Sequence, residues 1–221
     1  MSFIFSFILK FCFYGAIGTI IYILFRTVYL KLKPEKRKTK KEEILLVMFV
    51  FYFTGLLSQT ILPPIGYSFD DGLTIGIIFN SENYIQLSKN GFVHVQNQPI
   101  YGSINLVPFK TISSYFTGEG IHNFSLSDLP LYRIVNVLGN WILFVPFGFL
   151  LPLISKKCIK ISRVLLFGFL LIFLIEFEQY FIGRSCDIDD LILNVLGVLF
   201  GWLLYKLVYK LSSKKGKRVF G

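Results

Sequence analysis

A long apolar run from Phe3 to Leu30 has Lys10 and Arg26 as its only charges. About 20 apolar residues span a bilayer as a helix, so a run of this length admits few other folds. It lacks a basic start followed by a small-residue cleavage site, which predicts a retained span rather than a cleaved leader. Further runs cover Ile44–Leu62, Leu138–Ile154, Arg163–Phe181 and Leu191–Leu211. With 54% hydrophobic and only 16% charged residues, the 221-residue chain departs from a soluble domain, which is about 25% charged. The expected fold is all-α, a polytopic transmembrane bundle of about five spans. Its expected parts are two amino-terminal spans with a basic loop (1–62), an extracytoplasmic loop region (63–137), a three-span core (138–211) and a basic tail (212–221).

Charge sets the expected orientation. The net charge is +10. With the amino terminus outside, inner segments hold all but Lys10, Lys89, Lys110, Arg133 and Arg184 of the 23 basic residues. Outer segments hold all but Glu35, Glu42 and Glu43 of the 13 acids. The positive-inside rule then predicts a multi-pass plasma-membrane protein with a cytoplasmic carboxyl terminus. The basic loops lie against anionic lipid, so nucleic acid is not needed to explain the charge. Three scattered cysteines and two histidines give no metal-binding spacing.

The loop region carries two local signals. Tyr84–Leu87 and Phe92–Val95 flank Ser88-Lys89-Asn90-Gly91, a β-hairpin pattern. Lys110–Phe116 has the spacing of a short interfacial helix.

Ionisable groups concentrate in Leu174–Gly201, where two spans meet across a polar link. Such groups at membrane depth are costly and point to function. Glu176 and Gln179 share a helix face; Glu178 points away. Asp187, Asp190, Asn194, Gly197 and Gly201 follow spacings of 3, 4, 3 and 4, one stripe that ends in GxxxG, a helix-packing motif. The simplest arrangement sets this stripe against the face bearing Glu176 and Gln179, forming an outer polar recess. Asp189 reads as structural, since acids in a first helical turn cap free N–H groups and complement the dipole, and Glu178 reads as structural too. Glu176, Asp187 and Asp190 are the catalytic candidates. Asp187 and Asp190 are also the candidates for a divalent cation, although no cofactor is predicted. Arg184 is a fork donor suited to phosphate.

At these residues the sequence resembles the VanZ-like family of bacterial membrane proteins. The family pattern of Glu-x-x-Gln, Arg, an Asp-rich turn, Asn and two spaced glycines is met by Glu176, Gln179, Arg184, Asp187, Asp190, Asn194, Gly197 and Gly201. Ile104–Phe109 (INLVPF) and Gly139–Phe149 match two upstream blocks, which adds Asn105 and Asn140 to the expected ligand-binding set. The resemblance implies a Gram-positive cell-envelope protein connected with teicoplanin resistance, an antibiotic-resistance role. Its partners would be the lipid bilayer and a lipid-linked cell-wall precursor or lipoglycopeptide. A membrane enzyme acting on a phospho- or pyrophospho-lipid is the alternative, and a small transporter a weaker one. The histidine-nucleophile lipid phosphatases and the common intramembrane proteases have no counterpart motifs here.

Overall fold

The computed structural model describes residues 2–61, 65–68, 74–78, 83–88, 91–96, 104–117, 129–181 and 184–214. Its long helices are α1 (Ser2–Leu32), α2 (Lys40–Thr60), α4 (Leu129–Ile154), α5 (Ile161–Phe181) and α6 (Ile188–Lys214), with the short α3 (Lys110–Thr117) before α4. The fold is an all-α membrane bundle. Among the described residues four helices, α1, α2, α4 and α6, are long and apolar enough to cross a membrane. The sequence leads one to expect five. The remaining helix, α5, has 21 residues but carries Arg163, Glu176 and Glu178 along its length.

Local chemistry explains several boundaries. Thr39 and Glu42 form a reciprocal capping box that starts α2. At the same end Arg26 forks onto Glu43, at 2.5 and 3.1 Å, and ties α1 to α2. α4 begins at Leu129, well before the expected Leu138. It continues through Pro146 and Pro152, and the Tyr52 hydroxyl donates to the Leu143 carbonyl (2.8 Å) in the turn Pro146 interrupts.

Helix directions follow from the contacts. Arg26 meets Glu43 at one end and Gln59 meets Phe7 at the other, so α1 and α2 are antiparallel. Asn140 meets Asp190, and Gly201 meets Val145, so α4 and α6 run parallel. α5 returns between them, with Gly168 against Val198. Leu56, Phe144, Val164, Ile172 and Val198 are fully buried where these helices meet. Apolar side chains such as Phe5, Leu24, Phe25, Leu166 and Leu174 face outward, as lipid contact permits.

One end of the bundle collects Arg26, the Lys31–Glu43 loop and the Lys156–Lys160 turn; the other collects Glu176, Arg184, Asp187 and Asp190. At the basic end the Trp202 indole donates to the Ile159 carbonyl (3.0 Å), and Lys206 lies 5.3 Å from its ring centre. Strands β1 (Ile65–Ser68), β2 (Thr74–Ile78), β3 (Asn83–Ser88) and β4 (Gly91–Gln96) form an antiparallel sheet in chain order. The β3–β4 pair is the expected hairpin, with Ser88 opposite Gly91. The first two strands are not among the expected elements, although Asp71-Gly72 between Ser68 and Thr74 is a turn signal of the same kind.

Candidate functional site

The polar end is built around a two-residue parallel pairing. β5 (Ile104–Asn105) lies beside β6 (Cys186–Asp187), with Asn105 opposite Asp187. This brings the INLVPF segment onto the start of α6.

Asp187 caps that helix. Its Oδ1 accepts the Asp189 N–H (3.0 Å) and the Asn105 amide (3.2 Å), while its Oδ2 accepts the Thr111 hydroxyl. Asn105 also donates to Thr111 (3.0 Å) and accepts from Val107 N–H (3.3 Å), which closes the turn before α3. Both oxygens of Asp187 are therefore engaged in holding the fold.

Asp189 is fully buried. It accepts from the backbone N–H groups of Phe109 (2.5 Å), Thr111 (2.8 Å) and Ile112 (3.0 Å). Phe109 sits at φ 64°, in the left-handed region, so its N–H and those of Thr111 and Ile112 converge on one carboxylate, while the Lys110 N–H turns to the Val107 carbonyl. Asp189 is thus seated in a backbone nest at the start of α3. Its partners were not visible in the sequence, because backbone amides carry no residue signature.

The remaining groups lie deeper. Glu176 is 3% exposed and accepts from Asp187 N–H (3.2 Å). Gln179 is also buried, and Glu178 is exposed, as helical spacing predicts. Asp190 accepts the Asn140 amide at 2.6 Å. Glu176 lies within electrostatic range of Asp190, Asp187 and Arg184. Asn194, one turn below Asp190, is 4% exposed, and its Oδ1 has no hydrogen-bond partner among the described residues. Helical side chains lean towards the amino terminus, so this acceptor leans towards Asp190.

Arg184 forms no ion pair with these acids among the described residues. Its Nη1 donates to the carbonyls of Thr60 (3.0 Å) and Gln59 (3.3 Å), and Gln179 donates to the same Thr60 carbonyl (3.0 Å). These carbonyls are left over at the carboxyl end of α2, where a cation also meets the negative end of the helix dipole. Burial pulls the Arg184 guanidinium below its usual pKa, and Glu176 and Asp190 push it back up.

The glycine stripe does not face α5 as expected. A Cβ on Gly197 would lie 2.1 Å from the Trp141 carbonyl, and one on Gly201 would lie 2.0 Å from the Val145 carbonyl. A Cβ on Gly148 would lie 2.0 Å from the Val198 carbonyl, from the other side. The stripe therefore packs on α4, and it is Val198, between the two glycines, that touches α5 at Gly168. Spacing defines the stripe but not the helix that meets it.

Lys110 is exposed on α3. Among the described residues no group of three or more His, Cys, Asp or Glu side chains is arranged to hold a metal ion.

Cys186 reports on the field of this cluster. Burial, then Glu176, Asp187 and Asp190, push its thiol above the usual range. The thiolate is the reactive form, so iodoacetamide at pH 8 will modify Cys186 more slowly than a cysteine in an unfolded peptide. Asp190→Asn will speed the reaction by removing one negative charge. Alkylation followed by peptide mass mapping tests both statements, and equal rates in the two proteins would refute the electrostatic contribution.

The fold and this cluster define a class: a multi-pass membrane protein with a buried polar site at one end of its helical bundle. The chain matches the VanZ/LLP1 family over residues 72–209 and belongs to it. The matched stretch includes strands β2–β4 as well as every residue of the polar cluster named above except Gln59 and Thr60. No curated protein and no solved structure matches the chain.

Proposed function

We propose that this protein is a cell-envelope binding protein of the plasma membrane, and that its polar end takes the headgroup of a lipid-linked cell-wall precursor or lipoglycopeptide. One observation carries this reading. Asp187 and Asp189 spend their oxygens on the fold, whereas Asn194 Oδ1, one helical turn after Asp190, is buried and unpartnered among the described residues. A purely structural cluster pairs off its buried acceptors. Hydroxyl and amide donors of a sugar or peptide headgroup suit these acceptors, and the rest of the Arg184 guanidinium suits phosphate. The segregation of basic loops to the opposite end supports an outward-facing site, with the amino terminus outside and the carboxyl terminus cytoplasmic.

In this reading the protein contributes to teicoplanin resistance by engaging the precursor or the drug. Expression of the wild type in a glycopeptide-susceptible Gram-positive host will raise the teicoplanin concentration that stops growth. Glu176→Gln, Asp190→Asn and Arg184→Gln will each lose that gain at equal membrane abundance. Identical susceptibility in all strains, empty vector included, would sink the resistance reading.

A second reading is a membrane enzyme acting on a phospho- or pyrophospho-lipid, favoured by the proximity of the Glu176 and Asp190 carboxylates. Glu176 would act as the base, and Asp190, unlike Asp187 with both oxygens engaged, would be the site for a divalent cation. Phosphate release from polyprenyl pyrophosphate, dependent on Glu176 and on Mg2+, would replace the binding reading with this one.

A further inference from the structure

The loop Ile104–Phe109 turns its amides inward and its side chains outward. Every backbone N–H from Val107 to Ile112 is met within the protein. Val107 N–H donates to Asn105 Oδ1 (3.3 Å), those of Phe109, Thr111 and Ile112 to Asp189, and that of Lys110 to the Val107 carbonyl (3.3 Å). Pro108 has no N–H to satisfy. Ile104, Leu106, Val107 and Phe109, by contrast, are 57–70% exposed. Single exposed apolar residues are ordinary, but four within six residues form a patch that calls for a partner. Glycine would adopt the φ of 64° at position 109 without strain, yet the position holds an exposed phenylalanine ring.

The height of this loop in the bundle says what covers it. Asn105 pairs with Asp187, immediately before α6. Towards the other end of α6, the Trp202 indole bonds to the Ile159 carbonyl and Lys206 lies over its ring, which marks the opposite membrane boundary. Ile188 stands 14 residues before Trp202 and 18 before Lys206. At about 1.5 Å per residue that is roughly 21–27 Å, against a hydrocarbon core of about 30 Å. Any tilt of the helix brings its start deeper. The start of α6 therefore lies at the edge of the hydrocarbon, and the paired loop lies with it. α3 rests against α4 and α6, and α4 adds exposed Leu138 and Ile142 at the same end. Lys110, exposed, directly follows the apolar residues. A lysine at that height lays its stem along acyl carbon and sets its amine among lipid phosphates.

We infer that the Ile104–Phe109 loop is inserted in the leaflet at the polar end of the bundle, with its four apolar side chains among the upper acyl carbons and Lys110 at the phosphates. The internally bonded amides permit this, because lipid supplies no acceptor for an N–H. The nest around Asp189 thus closes the backbone against lipid as well as anchoring α3. Through the bond between Asn105 and Asp187, the inserted loop fixes the polar site at headgroup height. The contact is made by the loop before α3, not by the interfacial helix that the sequence leads one to expect. It holds whichever headgroup the polar site takes.

The test uses the full chain carrying Trp141→Phe and Trp202→Phe, reconstituted at low protein density in vesicles of phosphatidylcholine and phosphatidylglycerol. Single tryptophans are then introduced by Leu106→Trp, by Phe109→Trp and, as a solvated control in the basic loop, by Glu35→Trp. Emission from the first two will be blue-shifted from the control. Lipids brominated on the upper acyl carbons will quench it more strongly than lipids brominated near the chain end, and iodide in the buffer will quench it several-fold less than the control. A second measurement keeps both native tryptophans. A phospholipid with a diazirine on its upper acyl carbons will label the tryptic peptide Asn90–Lys110, mapped by mass spectrometry. Leu106→Ser combined with Phe109→Gly will lose most of that label with no fall in thermal midpoint.

Emission that matches the control and is equally open to iodide would overturn the inference and leave the patch to a water-soluble partner. A blue shift that fades as the protein is diluted in lipid would overturn it as well, since the cover would then be a second copy of the chain. So would full labelling of the double variant, or wild-type labelling confined to peptides of the long helices.

Discussion

Asp189→Ala will cost roughly 3–5 kcal/mol, since three backbone donors lose their common acceptor and each unmet buried donor costs about 1–3 kcal/mol. For a chain of this size that lowers the thermal midpoint by about 10 °C or more. The loss will be local before it is global. α3 and the INLVPF turn will become cleavable by protease while the helical bundle persists. Asp189→Asn will recover part of the loss, because its amide offers one acceptor oxygen where the carboxylate offers two. Phe109→Gly will be neutral or stabilising, since Phe109 is 62% exposed and glycine adopts its φ of 64° without strain. A midpoint unchanged in Asp189→Ala, measured by tryptophan fluorescence in detergent, would refute the anchoring role.

The second large effect is expected at the α4–α6 contact. Gly201→Ala places a methyl 2.0 Å from the Val145 carbonyl and 2.9 Å from Phe149 N. The obstruction is backbone, which cannot rotate away, so the helices must separate. Overpacking usually costs about 1–3 kcal/mol, and a clash with main chain on a parallel helix lies at or above the top of that range. Gly197→Ala meets the Trp141 carbonyl in the same way. The double variant will fail to give a monodisperse species on size-exclusion chromatography. Gly139→Ala is the control: nothing lies within 4 Å of its added methyl, and alanine favours the helix by up to about 1 kcal/mol. Equal elution and midpoint for Gly201→Ala and Gly139→Ala would show that the close approach does not matter.

These two sites mark where sequence reasoning reaches its limit. Helical periodicity separates Glu176 and Gln179 from Glu178, because a rotation of about 100° per residue is a property of the helix itself. Asn90-Gly91 between alternating apolar residues forecasts the β3–β4 hairpin for the same reason: the turn chemistry is local. Asp189 was read as a structural acid of a first helical turn, and it is structural. The donors it serves, however, are the amides of a different helix, 77–80 residues earlier in the chain. For Arg184 the sequence suggests phosphate or an aspartate as partner; it gives no sign that part of the guanidinium closes the carboxyl end of α2.

The sequence by itself determined that the chain enters a membrane, where its basic loops gather, and which polar residues share a helix face. Each of these depends on hydropathy, charge or the 3.6-residue period, all of which are local. Only the tertiary structure decided that α4, not α5, receives Gly197 and Gly201, and that Asp187 and Asp189 serve the fold while Asn194 retains an unmet acceptor. Those outcomes depend on which helices approach closely and on where backbone donors and carbonyls end up. Main-chain groups are the same at every position, so no pattern of side chains announces them.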